Sequence, residues 1–342
     1  MPPTSHPVVK RYDANPVLSH QDVPYDSGLV FNAGVAKYRD RYVMIFRNDL
    51  ADMEARQLHR GQTNLGLAIS PDGLNWEVDP GLFMAQEEAR HLFRPFHHER
   101  FGDEEIRRIY DPRITVMEDR CYLCFATDTN HGVCGGIADV GECDRFEPLS
   151  LSAPDNRNMV LFPEKIGGKF ARLERPFPIY SRSASEDFDI WYSESPDGTH
   201  WGGHRLVLGA EEVPFANCKI GPAAPPVRTE EGWLTTFHAV WKDTESSLNC
   251  WSDHGWFKTY YAGLMLLDLE KPWRVTAMMS TPLLTPQADY ELDGFRGSVI
   301  FPGGMILEDD GEVKIYYGAA DTVEALATAQ VGDLLGALET LS

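Results

Sequence analysis

Five stretches of the chain repeat one order of polar and apolar positions. Each sets a polar or charged residue beside a strand, then a hydrophobic strand, an acidic turn and a second strand. Two of them run from Val30-Phe31-Asn32-Ala33-Gly34 to Phe46-Arg47-Asn48-Asp49 and from Ile109-Tyr110-Asp111-Pro112-Arg113 to Phe125-Ala126-Thr127-Asp128. The others span 172–192, 219–238 and 301–321. Helical periodicity is scarce. Short β-branched and aromatic runs dominate instead, at 42–46, 114–117, 122–126, 189–192, 233–238 and 313–317, separated by Asp, Gly and Pro. The pattern predicts an all-β fold, and a unit repeated five times predicts a five-bladed β-propeller. In that architecture the polar strand ends meet in one central funnel. Residues 1–342 are read as a single such domain, with a C-terminal helix over 323–341.

A second repeat supports duplication. Ser70-Pro-Asp-Gly-Leu-Asn-Trp76 is echoed by Ser195-Pro-Asp-Gly-Thr-His-Trp201. Pro-Asp-Gly suits a tight turn, because Gly takes positive φ and Asp bonds its own backbone. The Trp then starts the outer strand of its blade. Spacing between the five units is uneven, so insertions lie between blades. One is 87–108, rich in Arg and His, which is a lid, a subunit contact or a solvated loop. Another is 239–260, where Trp241, Trp251, Trp256, Phe257 and Tyr260 suit either stacking on sugar rings or packing.

Composition narrows the partners. The chain is 43% hydrophobic and 24% charged, an ordinary globular balance. Its net charge of −21 argues against nucleic acid or an anionic membrane surface. Any bound anion must therefore be held by cations gathered locally against an unfavourable field. No stretch approaches the roughly 20 apolar residues that span a bilayer, and the N-terminus lacks the apolar core of a signal peptide. Six cysteines are too sparse for a disulfide scaffold. Cys121 and Cys124 lie three apart in a strand and point to opposite faces, which argues against a shared metal. A reduced, cytoplasmic protein is expected.

Among 52 acidic residues Asp111 is distinctive, because it precedes Pro112 and opens a strand rather than a turn. Proline is expected to hold it extended, aimed into the funnel, with its pKa raised as a general acid requires. Arg157, Arg172 and Arg175 flank an apolar hairpin. Lys219 opens one strand and His238 closes another. Arginine matches tetrahedral oxyanions with paired donors and lysine adds a point charge, so the set suggests a convergent anion site.

Phe31-Asn-Ala-Gly-Val, Tyr110-Asp-Pro-Arg-Ile-Thr115, Asp155-Asn-Arg-Asn-Met-Val-Leu-Phe-Pro, Leu173-Glu-Arg-Pro-Phe-Pro, Lys219-Ile-Gly-Pro-Ala-Ala-Pro-Pro and Phe301-Pro-Gly-Gly-Met resemble the motifs of glycoside hydrolase family 130. That family comprises inverting β-mannoside phosphorylases and related mannosidases. The resemblance covers nearly the whole chain. It implies that Asp111 is the general acid, that Arg157, Asn158, Arg175, Lys219 and His238 bind phosphate, and that Asn48 and Asp321 hold the mannose beside it. It also implies proton transfer through the mannose 3-hydroxyl, no metal or organic cofactor, and inorganic phosphate as co-substrate.

An inverting hydrolase needs a second carboxylate to activate water, whereas a phosphorylase needs cations to hold phosphate in line. The basic set favours phosphorolysis, giving α-mannose 1-phosphate. Thr63-Asn-Leu-Gly-Leu-Ala, His131-Gly-Val-Cys-Gly-Gly-Ile and Phe237-His-Ala-Val are most similar to the subgroup acting on 4-O-β-mannosyl-glucose. Alternatives are β-1,4-mannooligosaccharides, then β-1,2-mannosides. A hydrolytic mannosidase, a non-catalytic mannoside-binding propeller and a three-carboxylate arabinanase-like hydrolase rank below these. The resemblance also implies a homo-oligomer, with 90–101 as a candidate contact; sedimentation as a monomer at micromolar concentration would refute this.

Overall fold

The computed structural model describes residues 3–52, 57–93, 106–178, 186–242 and 258–341. Five antiparallel sheets follow one another along the chain. The first four blades begin at Leu29–Tyr38, Ile106–Met117, Asn156–Leu161 and Ile220–Pro222, and the last at Ile300–Leu307. The opening strands of the first four blades touch in turn, the fifth meets the strands Trp233–Lys242 and Lys258–Leu267 of the fourth, and the last opening strand closes back on the first. This is the expected five-bladed β-propeller.

The ring is closed by both ends of the chain. Lys10–Arg11 pairs with Val323–Gln330 and supplies the fourth strand of the last blade. Glu339–Thr340 pairs with Val275–Met278 at the outer edge of the fourth blade. The helix expected over 323–341 is therefore corrected. Its first part is a strand whose buried Ala325, Leu326 and Ala327 fill the last blade, and only Val331–Gly336 is helical. The third repeat unit also shifts: 172–192 covers the second and third strands of its blade, and the axial strand is Asn156–Leu161.

Within the blades, recurring residue pairs explain the packing. Phe46, Phe125 and Phe237 on second strands lie directly opposite Gly66, Gly136 and Gly263 on third strands. A Cβ on any of these glycines would stand 2.1 to 2.2 Å from the facing ring. The absent side chain is the room the ring occupies. The two Ser-Pro-Asp-Gly turns are built alike. Ser70 and Ser195 accept from the amides of Gly73 and Gly198, while Asp72 and Asp197 each accept two amides further on.

Three axial strands break register around a residue of positive φ, and Ile300–Leu307 shifts as well, between Pro302 and Gly304. In the three, register breaks between Phe31 and Gly34, Tyr110 and Arg113, and Arg157 and Val160. The residue at each break is Asn32, Asp111 or Asn158, with φ of 50°, 53° and 57°. Asn and Asp are the side chains that best tolerate this left-handed conformation. The extended conformation expected for Asp111 is thus corrected. The bulge overrides the proline bias and turns the residue out of the ladder at the axis.

Cys121 packs with Leu123 and Phe125 while Cys124 packs with Ile137 and Met159, so the two thiols do face opposite sides of their strand. Among the described residues no helix is long and apolar enough to cross a membrane.

Candidate active site

The bulges open onto an axial cavity of about 370 Å³. Asp111 forms part of its floor. Its Oδ1 accepts from Asn32 Nδ2 at 3.0 Å and from Arg47 Nη1 at 3.3 Å. Arg47 is itself clamped by both carboxylate oxygens of Asp49, with Nε to Oδ1 at 2.9 Å, and lies over the rings of Phe31 and Tyr110. Burial pushes the Asp111 carboxyl up, but Arg47, Arg113, Arg157 and the Asn32 bond outweigh it and hold it below the usual range. The raised pKa expected from sequence is not found. Asp321, which lines the same cavity 3.4 Å from Arg296, shifts the other way, because burial and the charges of Asp111 and Asp49 prevail over Arg296 and Arg47.

The opposite wall is cationic. Arg157 Nη1 donates to the Tyr110 hydroxyl at 3.3 Å, and that hydroxyl donates to Asp128 at 2.7 Å. Arg175 Nη1 donates to His238 Nε2 at 2.9 Å. Among the described residues, Arg175 Nε and Nη2 and Arg157 Nε are buried with no hydrogen-bond partner. Burial and Arg157 push Arg175 down to about 9. Burial, then Arg175, Lys258 and Arg157, hold Lys219 well below its ordinary value. Three mutually repelling cations around one space form a site for a multivalent anion. Glu186 lies on the same wall, bonded to Lys258 at 2.7 Å and 3.8 Å from Lys219.

The sequence expectations divide accordingly. Asp111, Asp321, Arg157, Arg175 and Lys219 all line the cavity. His238 stands behind Arg175: burial and the Arg175, Lys219 and Arg157 charges hold it neutral, so it accepts the arginine N–H instead of reaching the cavity. Asn158 occupies its bulge with Oδ1 buried and unpartnered among the described residues. Asn48 is turned away and ties its strand to the Asp26 carbonyl at 3.1 Å. Arg172 leaves the anion set altogether, paired with Glu174 at 2.8 Å beneath Trp201.

Arg47, Asp49, Asn32, Tyr110, Lys258 and Glu186 went unmarked by the sequence reading. Strand alternation could have found the first two. Arg47 and Asp49 share a face and Asn48 takes the other. Of the aromatic insertion, Tyr260 is buried against His238 and beneath Lys219, and Trp241 is exposed. Trp251, Trp256 and Phe257 fall outside the described residues, as do 94–105. Among the described residues no cluster of three His, Cys, Asp or Glu side chains is placed to hold a metal.

A family model, that of glycoside hydrolase family 130 and described as β-1,4-mannooligosaccharide phosphorylase, matches residues 4–340. A β-1,4-mannooligosaccharide phosphorylase from Ruminococcus albus is 31% identical, over 96% of this chain and 90% of that protein. A 4-O-β-D-mannosyl-D-glucose phosphorylase from Bacteroides fragilis is 25% identical, over 96% of this chain and 80% of that protein. The solved complex of a Listeria innocua β-1,2-mannobiose phosphorylase with β-1,2-mannobiose superposes with a TM-score of 0.76 at 26% identity, covering 96% of this chain and 98% of that one.

Proposed function

The chain belongs to glycoside hydrolase family 130, and from that premise we propose that it is an inverting phosphorylase of β-1,4-linked mannosides. The observation that carries this reading is the cationic wall. Buried arginine donors without partners cost several kcal/mol in desolvation, which a tetrahedral anion offsets. Phosphate held by Arg157, Arg175 and Lys219 attacks C1 of the mannosyl unit. The C1–O bond to the acceptor breaks, and the proton of Asp111 passes to the leaving oxygen through the mannose 3-hydroxyl. Asp321 holds that mannose. The product is α-mannose 1-phosphate with a shortened acceptor. No metal or organic cofactor enters the scheme, and phosphate is the co-substrate.

The low proton affinity of Asp111 fits this scheme once the anion is counted. Arg157 is one of three guanidiniums that keep the carboxyl ionised. A phosphate dianion on Arg157 offsets that field and raises the Asp111 pKa when both substrates are bound. The acid is then protonated only in the complex that needs it.

A hydrolase would recruit Glu186 or Asp321 as base. Glu186 is poorly suited, because Lys219 and Lys258 overcome the effect of its burial and hold it below the ordinary range, which makes it a weak base. Asp321 is engaged by Arg296. For the acceptor, the Ruminococcus relative supports β-1,4-mannooligosaccharides. The motifs around Thr63 and His131, with the Bacteroides relative, support 4-O-β-mannosyl-glucose as the second reading.

The test is incubation with β-1,4-mannobiose, 4-O-β-mannosyl-glucose and β-1,2-mannobiose, each with and without phosphate. Phosphate-dependent mannose 1-phosphate from the β-1,4-linked substrates is expected. Free mannose formed without phosphate would overturn the reading.

A further inference from the structure

A carboxylate on a wall that gathers cations for an anion is out of place by charge alone. Glu186 lines the cavity with Arg157, Arg175, Lys219 and Lys258. Its Oε1 and Oε2 accept from Lys258 Nζ at 2.9 and 2.7 Å, and Oε1 is 3.8 Å from Lys219 Nζ. Lys219 in turn feels Arg175 and Arg157 directly. The carboxylate therefore sits on the lysine side of the anion site, within the same cavity as the two arginines. Lys219, Lys258 and Lys242 keep it ionised despite burial, so it acts as an acceptor.

We propose that Glu186 is a specificity-determining residue that makes the anion site select phosphate over sulfate. The inference rests on the phosphorolysis reading above. Near neutral pH, phosphate is largely the dianion HPO₄²⁻, which carries one P–OH. Sulfate has the same charge, the same tetrahedral shape and no proton. Against the arginines and lysines the two ions are equivalent. Against Glu186 they differ: the P–OH donates to the carboxylate, whereas a sulfate oxygen sets one acceptor against another with no proton between. Selectivity then comes from a repulsive contact with the wrong ion as well as an attractive one with the right ion. The three oxygens of phosphate that carry no proton remain for the cations and for attack on C1.

A purely structural role, in which Glu186 only balances Lys219 and Lys258, predicts something else. Its removal would change the affinity for both ions in the same sense and leave their ratio alone. The ratio is therefore the readout.

Titration calorimetry of the full chain at pH 7.5 with sodium phosphate and sodium sulfate tests this, for wild type and Glu186→Gln. Wild type is expected to bind phosphate at least about 10-fold more tightly than sulfate, the range of one charged hydrogen bond. In Glu186→Gln the ratio is expected to fall to within about 3-fold, with phosphate weaker and sulfate tighter. An unchanged ratio in a folded variant would overturn the proposal. So would a wild type that binds sulfate as tightly as phosphate, a result that needs no variant to fold. In both cases phosphate still binds, and the phosphorolysis reading survives. A wild type that binds neither ion would overturn that reading and the role of Glu186 together.

Discussion

Asp111 owes its position to a conformation that most side chains avoid, and its charge to the company it keeps. At φ 53° the carboxylate leaves the ladder and meets Asn32 and Arg47, so geometry and ionisation are set by the same partners. Replacing it with Asn is expected to lower kcat/KM for β-1,4-mannobiose by about 10²- to 10⁴-fold. A 2,4-dinitrophenyl β-mannoside, whose leaving group needs no proton, should be turned over by the variant almost as well as by wild type. An equal loss on both substrates would assign Asp111 to binding. On the opposite wall, Arg175→Lys should raise the phosphate KM about 10- to 100-fold, because lysine cannot serve His238 and an anion through one planar fork. Steady-state phosphate titration reads this, and an unchanged KM would remove Arg175 from the anion site. The residues at the cavity were legible where a motif carried them, as with Asp111, Arg157, Arg175 and Lys219. Asn48 was chosen where the strand parity selects Arg47 and Asp49. Lys258 was not legible because it lies within 239–260, where the aromatic residues carry the visible pattern.

Between residues and the ring stands the blade, and the sequence wrote part of it plainly. The Ser-Pro-Asp-Gly turns showed duplication, and the bonds made by their Ser and Asp side chains to the turn amides repeat, while only Trp201 of the two tryptophans donates to its turn, at the Gly198 carbonyl. The Phe–Gly pairs are the same signal at longer range, which becomes visible only once strand register is known. Gly136→Val would drive a side chain into the Phe125 ring, and the overpacking should cost roughly 1–3 kcal/mol. Chemical denaturation measures it; an undiminished midpoint would show that Phe125 has another rotamer to adopt. The bulges were not legible. A single residue inserted in one strand leaves the polar–apolar alternation almost intact, and the Pro after Asp111 argued for an extended chain. The phase of the third unit was misread for a related reason: Arg172 and Glu174 are buried charges between strands, and they resemble the polar entrance of a blade.

Across the whole molecule, the axis carries a buried pair of its own beneath the site. Arg113 donates to the carbonyls of Ala223 and Pro112, while Glu324 accepts the Ala33 amide. Burial outweighs that amide bond and Arg113, and pushes the Glu324 carboxyl up to about 8. The folded state thus binds more protons than the unfolded one between the ordinary value of 4.5 and about 8. Stability contributed by this group falls as pH rises through that window. Glu324→Gln should match wild type in Tm at pH 5 and exceed it at pH 8.5, by a free energy on the order of a few kcal/mol. Calorimetric scans at the two pH values check this, and a parallel Tm offset at both would show that ionisation of Glu324 is not the cause. Five blades and their all-β character were readable from repeat and composition. The closure of the ring was not, since a two-residue strand such as Lys10–Arg11 leaves no periodicity to find.

That closure dictates an order of assembly. Lys10–Arg11 is synthesised long before its partner strand, Val323–Gln330. Until the last blade is made, the first blade lacks a neighbour on one side and the nascent chain holds an open arc of sheets with bare edges. Residues 323–340 then act twice, admitting Lys10–Arg11 to the last blade and laying Glu339–Thr340 along the fourth. A chain cut before Val323 has no latch and exposes the strand edges from which aggregates grow.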